Sequence, residues 1–434
     1  MKKLSMGLAG GVVLAAAALF FLSSMLVEQN ARKTMNQVNL LIRESGYDVR
    51  LELLEVKKGL PTSTLEWKLN LGQLGQEIGV DSLRLTDRAR PGFTGVVVTT
   101  HLQANAWYRA WVDQKLGGKD PLTITSTYPW VGDQSSTLAL SAFKIKMPDG
   151  QTLQVKPGEL TTTVDQSYTH LTGKGRFEGL RVADVLNLVD LEFEMDQKRA
   201  SEQIWKGSSR VSLGECFVSG EMDEFWLTNA WVSSSLSMGL GKRTLSLDLE
   251  YGMDNADLPR MEIGESRMKF RIDGVNVSAY EKLMALYTKM VRETQFTGHD
   301  QAQVDRWIER HQAVFLASFE ALLKEGLSFE VYDVKLSLPQ GDVSGDFSLS
   351  LIRDTTLTQL IPMGASPQSA LEIFSLKSGI RVPVSFATQY PFLLQPMLPG
   401  MQTGLFVPDG DSLSLGVETR DGRFILNGSE LILQ

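Results

Sequence analysis

Hydrophobic and polar positions along this chain follow three successive patterns. The first is an uncharged run from Leu4 to Val27, preceded by Lys2 and Lys3 and followed by Glu28. At 1.5 Å per helical residue it extends roughly 36 Å, enough to cross a ~30 Å hydrocarbon core with some tilt. Helical periodicity continues from Glu28 to Ser45 and stops at Gly46, a residue suited to the C′ position. From Tyr47 the period becomes 2. Val49, Leu51 and Leu53 alternate with Arg50 and Glu52, and Leu65, Trp67, Leu69 and Leu71 alternate with Glu66, Lys68 and Asn70 across the Gly59-Leu60-Pro61 turn. That alternation predicts half-buried strands. Further strands are predicted at Val80–Thr86, Gly95–Ala104, Leu122–Tyr128, Thr137–Met147, Thr152–Val155, Gly207–Leu213, Phe225–Val232, Thr244–Tyr251 and Met268–Ile272. Turns such as Pro148-Asp149-Gly150 and Asp273-Gly274 separate them.

The third pattern is a helical pair. Ser278 and Glu281 have capping-box spacing, and Tyr280, Leu283, Met284, Tyr287, Met290 and Val291 make one apolar stripe. A second helix, capped at Asp300, carries Val304, Trp307, Ile308, His311, Phe315, Phe319, Leu322 and Leu323 as far as Gly326. Strands resume at Leu327–Leu338 and Val343–Ile352, and a short helix is expected from Ser366-Pro367. A hairpin, Ser412–Glu418 with Arg423–Leu426, closes the chain at Asp421-Gly422.

Strands that follow one another without crossover helices argue for antiparallel meanders. The expected fold is α+β: one N-terminal transmembrane helix, then a large, mainly antiparallel β-sheet ectodomain with a helical hairpin. Sandwich, barrel and open curved sheet all stay compatible with the pattern. The expected segments are a signal-anchor at 1–27, a juxtamembrane helix at 28–46 and an antiparallel β-rich region at 47–275. A helical hairpin follows at 276–326, then a C-terminal α+β region at 327–434, packed with the preceding sheet. The anchor reading rests on Lys2, Lys3, Leu14, Phe20, Phe21 and Leu22. The lysines keep the short N-terminal side in the cytoplasm and place residues 28–434 across the membrane. A cleaved signal peptide is the rival, but the apolar run exceeds the 7–15 residues of an h-region.

Composition removes several function classes. A net charge of −8 argues against nucleic-acid partners, which require a basic surface. The single cysteine, Cys216, excludes an internal disulfide and a lipoprotein attachment near the N-terminus. Of the four histidines, His101 and His170 sit in strand-like segments, and His299 and His311 lie about 120° apart around a helix, so they cannot share a metal from one face. No H-E-x-x-H, G-x-S-x-G or complete phosphate loop is present; Gly239-Leu240-Gly241-Lys242-Arg243 lacks the first glycine and the final hydroxyl residue. Asp409-Gly410-Asp411 and Asp254-Asn255-Ala256-Asp257 offer oxygen ligands without a calcium-loop spacing and suit turns as they stand. No catalytic residue, cofactor or metal site is therefore expected. The remaining signal is aromatic and apolar: Trp107, Tyr108 and Trp111, and the segment containing Tyr390, Phe392 and Leu393. These read either as core or as the lip of a groove for an apolar ligand or partner.

Several of these features together resemble a known family. They are the N-terminal apolar run, the Gly59-Leu60-Pro61-Thr62-Ser63-Thr64 turn, the strand-rich middle, the Ile272–Leu283 strand-to-helix passage and the ending Gly422-Arg423-Phe424-Ile425-Leu426-Asn427-Gly428. The chain resembles the YdgA-like bacterial envelope proteins, a family of unknown function (DUF945). Ala89-Arg90-Pro91-Gly92 stands where comparable members carry His-Gly-Pro, so the resemblance is to a divergent member. It implies an inner-membrane-anchored periplasmic protein and supplies no catalytic residue. Three function classes follow: a non-enzymatic envelope scaffold or interaction module, binding or passage of lipid along a sheet groove, and an enzyme whose site assembles only in three dimensions. The expected partners are the membrane through the N-terminal helix and a lipid or an envelope protein. Self-association through a sheet edge stays open.

Overall fold

Alternating segments become strands, and most pair antiparallel with the next strand in the chain. The computed structural model describes residues 27–29, 31–40, 42, 48–59, 61–72, 80–103, 106–147, 149–220, 224–239, 241, 243–259, 261–294, 301–360, 370–389, 404–420 and 422–431. Two compact units form. One comprises Met1–Phe177 with Tyr287–Trp307, the other Glu178–Leu286 with Ile308–Gln434. Of the described residues 59% are strand and 19% helix, so the architecture is mostly open antiparallel sheet with few helices. Among the described residues no helix is long and apolar enough to cross a membrane. The apolar run lies outside those residues except for Val27.

The first unit contains β1 (Arg50–Lys57), β2 (Ser63–Asn70), β3 (Ser82–Pro91), β4 (Gly95–Gln103), helix α1 (Ala106–Leu116), β5 (Leu122–Pro129), β6 (Gln134–Leu140), β7 (Phe143–Lys146), β8 (Thr152–Val155), β9 (Gly158–Val164) and the start of β10 (His170–Val182). Its sheet runs β1-β2-β3-β4-β5-β6-β9-β10, and the hairpin of β7 and β8 joins it through pairing of β8 with β10. Helical residues 27–29 and 31–40 lay Val27, Ala31 and Met35 on Leu65, Trp67, Ala89, Val96 and Val98. Asn39 hooks this segment to β1: its amide donates to the Leu51 carbonyl and accepts from the Leu51 N–H, both at 2.8 Å. Beneath the helix, Asp87 accepts from Trp67 Nε1 at 2.7 Å and from Thr100 Oγ1 at 2.5 Å. Burial raises the Asp87 carboxyl above its ordinary value against these two donors. The Tyr128 phenol is pushed up to about 12 by burial and by the Asp87 charge. Asp87, Tyr128 and Thr34 face a cavity of about 50 Å³, water-sized rather than ligand-sized.

The second unit contains β11 (Leu186–Arg199), β12 (Trp205–Ser219), β13 (Glu224–Met238), β14 (Thr244–Met253), β15 (Asn255–Leu258), β16 (Met261–Ile263), β17 (Ser266–Asn276), β18 (Ser328–Leu338), β19 (Gly341–Leu351), β20 (Phe374–Pro383), β21 (Val407–Asp409), β22 (Ser412–Arg420), β23 (Arg423–Leu426) and β24 (Ser429–Leu431). The ladder runs β11-β12-β13-β14-β17-β18-β19-β20-β22-β23-β24, antiparallel throughout. Helices α2 (Val277–Thr294) and α3 (Gln301–Glu320) interrupt it between β17 and β18, and the short α4 (Leu357–Leu360) and α5 (Val384–Gln389) follow. Phe386 of α5 closes a small core with Ala256, Ile263 and Leu338.

Three local expectations need correction. Residues 106–116, to which the pattern assigns no element within the β-rich region, form α1; Ala106, Arg109, Ala110, Gln114 and Lys115 supply the helix propensity that the aromatic cluster obscures. The strand expected at Thr137–Met147 is two, with a break at Ser141-Ala142. Helix α2 is capped by Asn276, whose Oδ1 accepts from the Ala279 N–H at 3.0 Å, not by Ser278. The expected cap at Asp300 and the helix start at Ser366-Pro367 lie outside the described residues.

Candidate functional site

Directly opposed residues of an antiparallel pair share a face, so the ladder registers identify what each face of the second sheet carries. Phe193, Val211, Val232, Tyr251 and Met268 oppose one another in turn across β11, β12, β13, β14 and β17. Leu247, Ile272, Phe329, Leu349 and Leu376 do the same from β14 to β20. Between these rows Leu249, Phe270, Val331 and Phe347 are also in register. Phe270, Phe329 and Phe347 meet edge to face, with centroids 4.6 and 5.9 Å apart. One face of the sheet is thus apolar from β11 to β20.

Among the described residues, part of this face is exposed. Val211 and Val232 are each 42% exposed, Met268 39% and Tyr251 37%. They belong to a trough of about 610 Å³, whose other walls include Leu191, Leu213, Leu227, Ala230, Met253, Val334 and Leu336. That volume lies within the range of small-molecule sites, and the chemistry is almost wholly hydrocarbon. Among the described residues two charged ones border it, Arg267 and Lys335, which oppose each other and Gly252 and so turn toward the other face of the sheet. Arg267 is paired with Asp333 at 2.9 Å and Lys335 with Glu265 at 2.9 Å.

Charge is concentrated on the opposite face. Arg271 meets Asp248 at 2.6 Å, and Lys269 meets Glu250 at 3.2 Å and Asp333 at 3.3 Å. Hydrogen bonds to Glu250 and Asp333 hold the Lys269 ammonium above its ordinary value. There too the Trp231 ring lies against Gly252, its cross-strand partner, with the Arg210 guanidinium 4.4 Å from the ring centroid. Asp190 and Asn229 take positive φ, 52° and 48°, where β11 and β13 flank Gly214 of β12. A left-handed residue at such a point bends its strand and increases the local twist.

The residues singled out from sequence fall elsewhere. Tyr108 and Trp111 stack at 5.8 Å in the first unit, with Phe143 6.1 Å from Trp111, while Tyr108 donates to Asp120 at 2.7 Å. Burial and that bond raise the Tyr108 phenol above its ordinary value. Trp107 lies on the same helix. Tyr390, Phe392 and Leu393, and the anchor residues Lys2 to Leu22, lie outside the described residues. The calcium-like strings serve as turns: Asp254 accepts from Asn229 at 2.7 Å, and Asp409 pairs with Arg381 at 3.5 Å. Among the described residues no three His, Cys, Asp or Glu side chains converge as metal ligands. The trough residues themselves carried a signal in the clear alternation of apolar and polar positions along their strands.

No match was found among curated proteins or among solved structures. A family model does match, from residue 1 to residue 434, and on that match the chain belongs to DUF945, a family of bacterial proteins of unknown function.

Proposed function

We propose that this protein handles lipid: tethered to the bacterial inner membrane by Leu4–Val27, it receives acyl chains along the apolar face of its second sheet on the periplasmic side. The observation that carries this reading is the apolar face that runs from β11 to β20 and is exposed at Val211, Val232, Tyr251 and Met268. An occupant of that trough must need few hydrogen bonds, because the strands' own backbone groups are engaged in the ladder and the walls are hydrocarbon. A protein partner ordinarily requires about one hydrogen bond per 100–200 Å² of interface. An acyl chain requires none. Transfer from water is favourable by about 0.8 kcal/mol per methylene, whereas exchange from a bilayer is close to neutral, which suits loading and release. The reading is non-enzymatic and uses no cofactor.

A second reading, an envelope scaffold or interaction module, draws on α3. Ile308, Phe315 and Phe319 of its expected stripe are 37–42% exposed, as is the adjacent Leu316, whereas Trp307 and Leu323 of the same stripe are buried. Photocrosslinking separates the two. The full chain, carrying a photoreactive side chain at Val232 or Met268, is irradiated in living bacteria and purified. Lipid adducts are expected at these positions and not at Glu194 or Glu250 on the charged face. Protein adducts alone at Val232 and Met268, or equal lipid adducts on both faces, overturn the proposal.

A further inference from the structure

Accepting the tether of that reading, we infer that two turns of the first unit, residues 92–95 and 130–133, dip into the same bilayer and seat this unit on it. The ladder registers gather these turns at one end of the first sheet. Lys57 opposes Thr64, Ser63 opposes Ala89, Pro91 opposes Val96, Gly95 opposes Pro129 and Thr127 opposes Ser135, so β1–β2, β3–β4 and β5–β6 all turn there. The chain also leaves the tether at that end. Glu28 meets Lys58 of the β1–β2 turn at 2.9 Å. Asn39 holds Leu51 near the other end, where Leu51 opposes Leu69 and Leu69 opposes Leu83. Val27, the last residue of the apolar run, is buried in one cluster with Ala89 and Val96, at the foot of the β3–β4 turn.

Phe93 and Val131 stand at the tips of these turns, 92% and 89% exposed. No other large apolar side chain among the described residues exceeds 56%. Folding therefore takes almost none of their surface out of water, and only an apolar phase outside the unit can do so. The two turns are also joined. The Trp130 N–H donates to the Thr94 carbonyl at 3.0 Å and Trp130 Nε1 to the Gly92 carbonyl at 3.2 Å, so both tips are presented together. Trp130 itself is half-buried between the turns and is a residue type enriched at membrane interfaces. The tether decides the occupant. It holds the bilayer beside this end of the sheet, and a second contact made by a tethered molecule forms at high effective concentration. A protein partner would first have to displace that surface.

The test uses the full chain with Cys216→Ser and one new cysteine, Phe93→Cys, Val131→Cys or Lys119→Cys, each labelled with an environment-sensitive fluorophore. Lys119 is exposed just ahead of β5, at the opposite end of the sheet. The vesicles are of phosphatidylethanolamine and phosphatidylglycerol, with or without lipids carrying a nitroxide on the acyl chain. Insertion by ~5–10 Å reaches the boundary between headgroups and acyl chains. A blue-shifted emission that the nitroxide quenches is therefore expected at residues 93 and 131, and neither change at residue 119. Phe93→Asp should reduce the quenching at residue 131, because the two tips are joined. Three results overturn the inference and leave the tether standing, in chains that float with the vesicles: no quenching at residues 93 and 131, equal quenching at all three positions, or quenching at residue 131 indifferent to Phe93→Asp. Chains that fail to float overturn the tether and the inference with it.

Discussion

Trp67→Phe tests the buried carboxylate beneath the N-terminal helical segment. Trp67 is 7% exposed and gives its indole N–H to Asp87 at 2.7 Å. The substitution keeps an aromatic ring but removes the donor. A hydrogen bond to a charged acceptor contributes ~1.5–3 kcal/mol, and to a neutral one ~0.5–1.5 kcal/mol. The loss should therefore be about 2 kcal/mol where Asp87 is ionised and about 1 kcal/mol where it is protonated, with a pH-independent packing loss added to both. Burial holds the folded Asp87 above its unfolded value. Its contribution is therefore most favourable below the ordinary carboxylate range and is lost as pH rises through the folded value. Removing a donor that lowers that value extends the window upward. Urea unfolding of the purified full chain, followed by far-UV circular dichroism, should show a larger penalty at pH 8 than at pH 4.5. In the Asp87→Asn background the difference between the two pH values should vanish. An equal penalty at both pH values, or one unchanged by Asp87→Asn, would refute the reasoning.

Two further predictions concern single residues. Asn427 takes φ 49° in a two-residue turn with Gly428, accepts from the Gly416 N–H at 2.7 Å, and donates to the Gly404 and Leu405 carbonyls at 2.9 and 3.0 Å. Asn427→Ala should cost about 2–3 kcal/mol through three lost bonds and backbone strain, and Asn427→Gly about 1 kcal/mol less, read as a shift in the urea midpoint. A Cβ at Gly252 would sit 2.6 Å from the Trp231 ring. Gly252→Val should displace that ring from Arg210, shifting tryptophan emission and losing about 1–3 kcal/mol; unchanged emission and stability would show that the ring is not held there.

Much of the fold is legible because period-2 alternation survives without tertiary context. Leu191-Glu192-Phe193-Glu194-Met195-Asp196 shows why: apolar and acidic residues alternate strictly, and β11 places Phe193 on the trough face with Glu192 and Glu194 exposed. Helix α1 was not legible, since Trp107, Tyr108 and Trp111 suit either a strand or a helix and only their neighbours decide. The trough was half legible. Each apolar row could be read from its strand, but which strands lie side by side depends on long-range pairing such as β14 with β17 across β15 and β16. Nor could sequence tell that Ile308, Phe315 and Phe319 stay uncovered, because periodicity marks an apolar face without naming what packs on it.

The clasp between Asn39 and Leu51 has a consequence for assembly. A strand at the margin of a sheet normally offers unpaired backbone groups to any extended chain that approaches. On the side of β1 away from β2, the Leu51 N–H and C=O are both taken by one carboxamide. An incoming strand would have to break two bonds and lift the helical segment before it could add there. The first sheet is thereby guarded against templated growth at that margin, and any association between copies of this chain must be sought through side chains or at other strands.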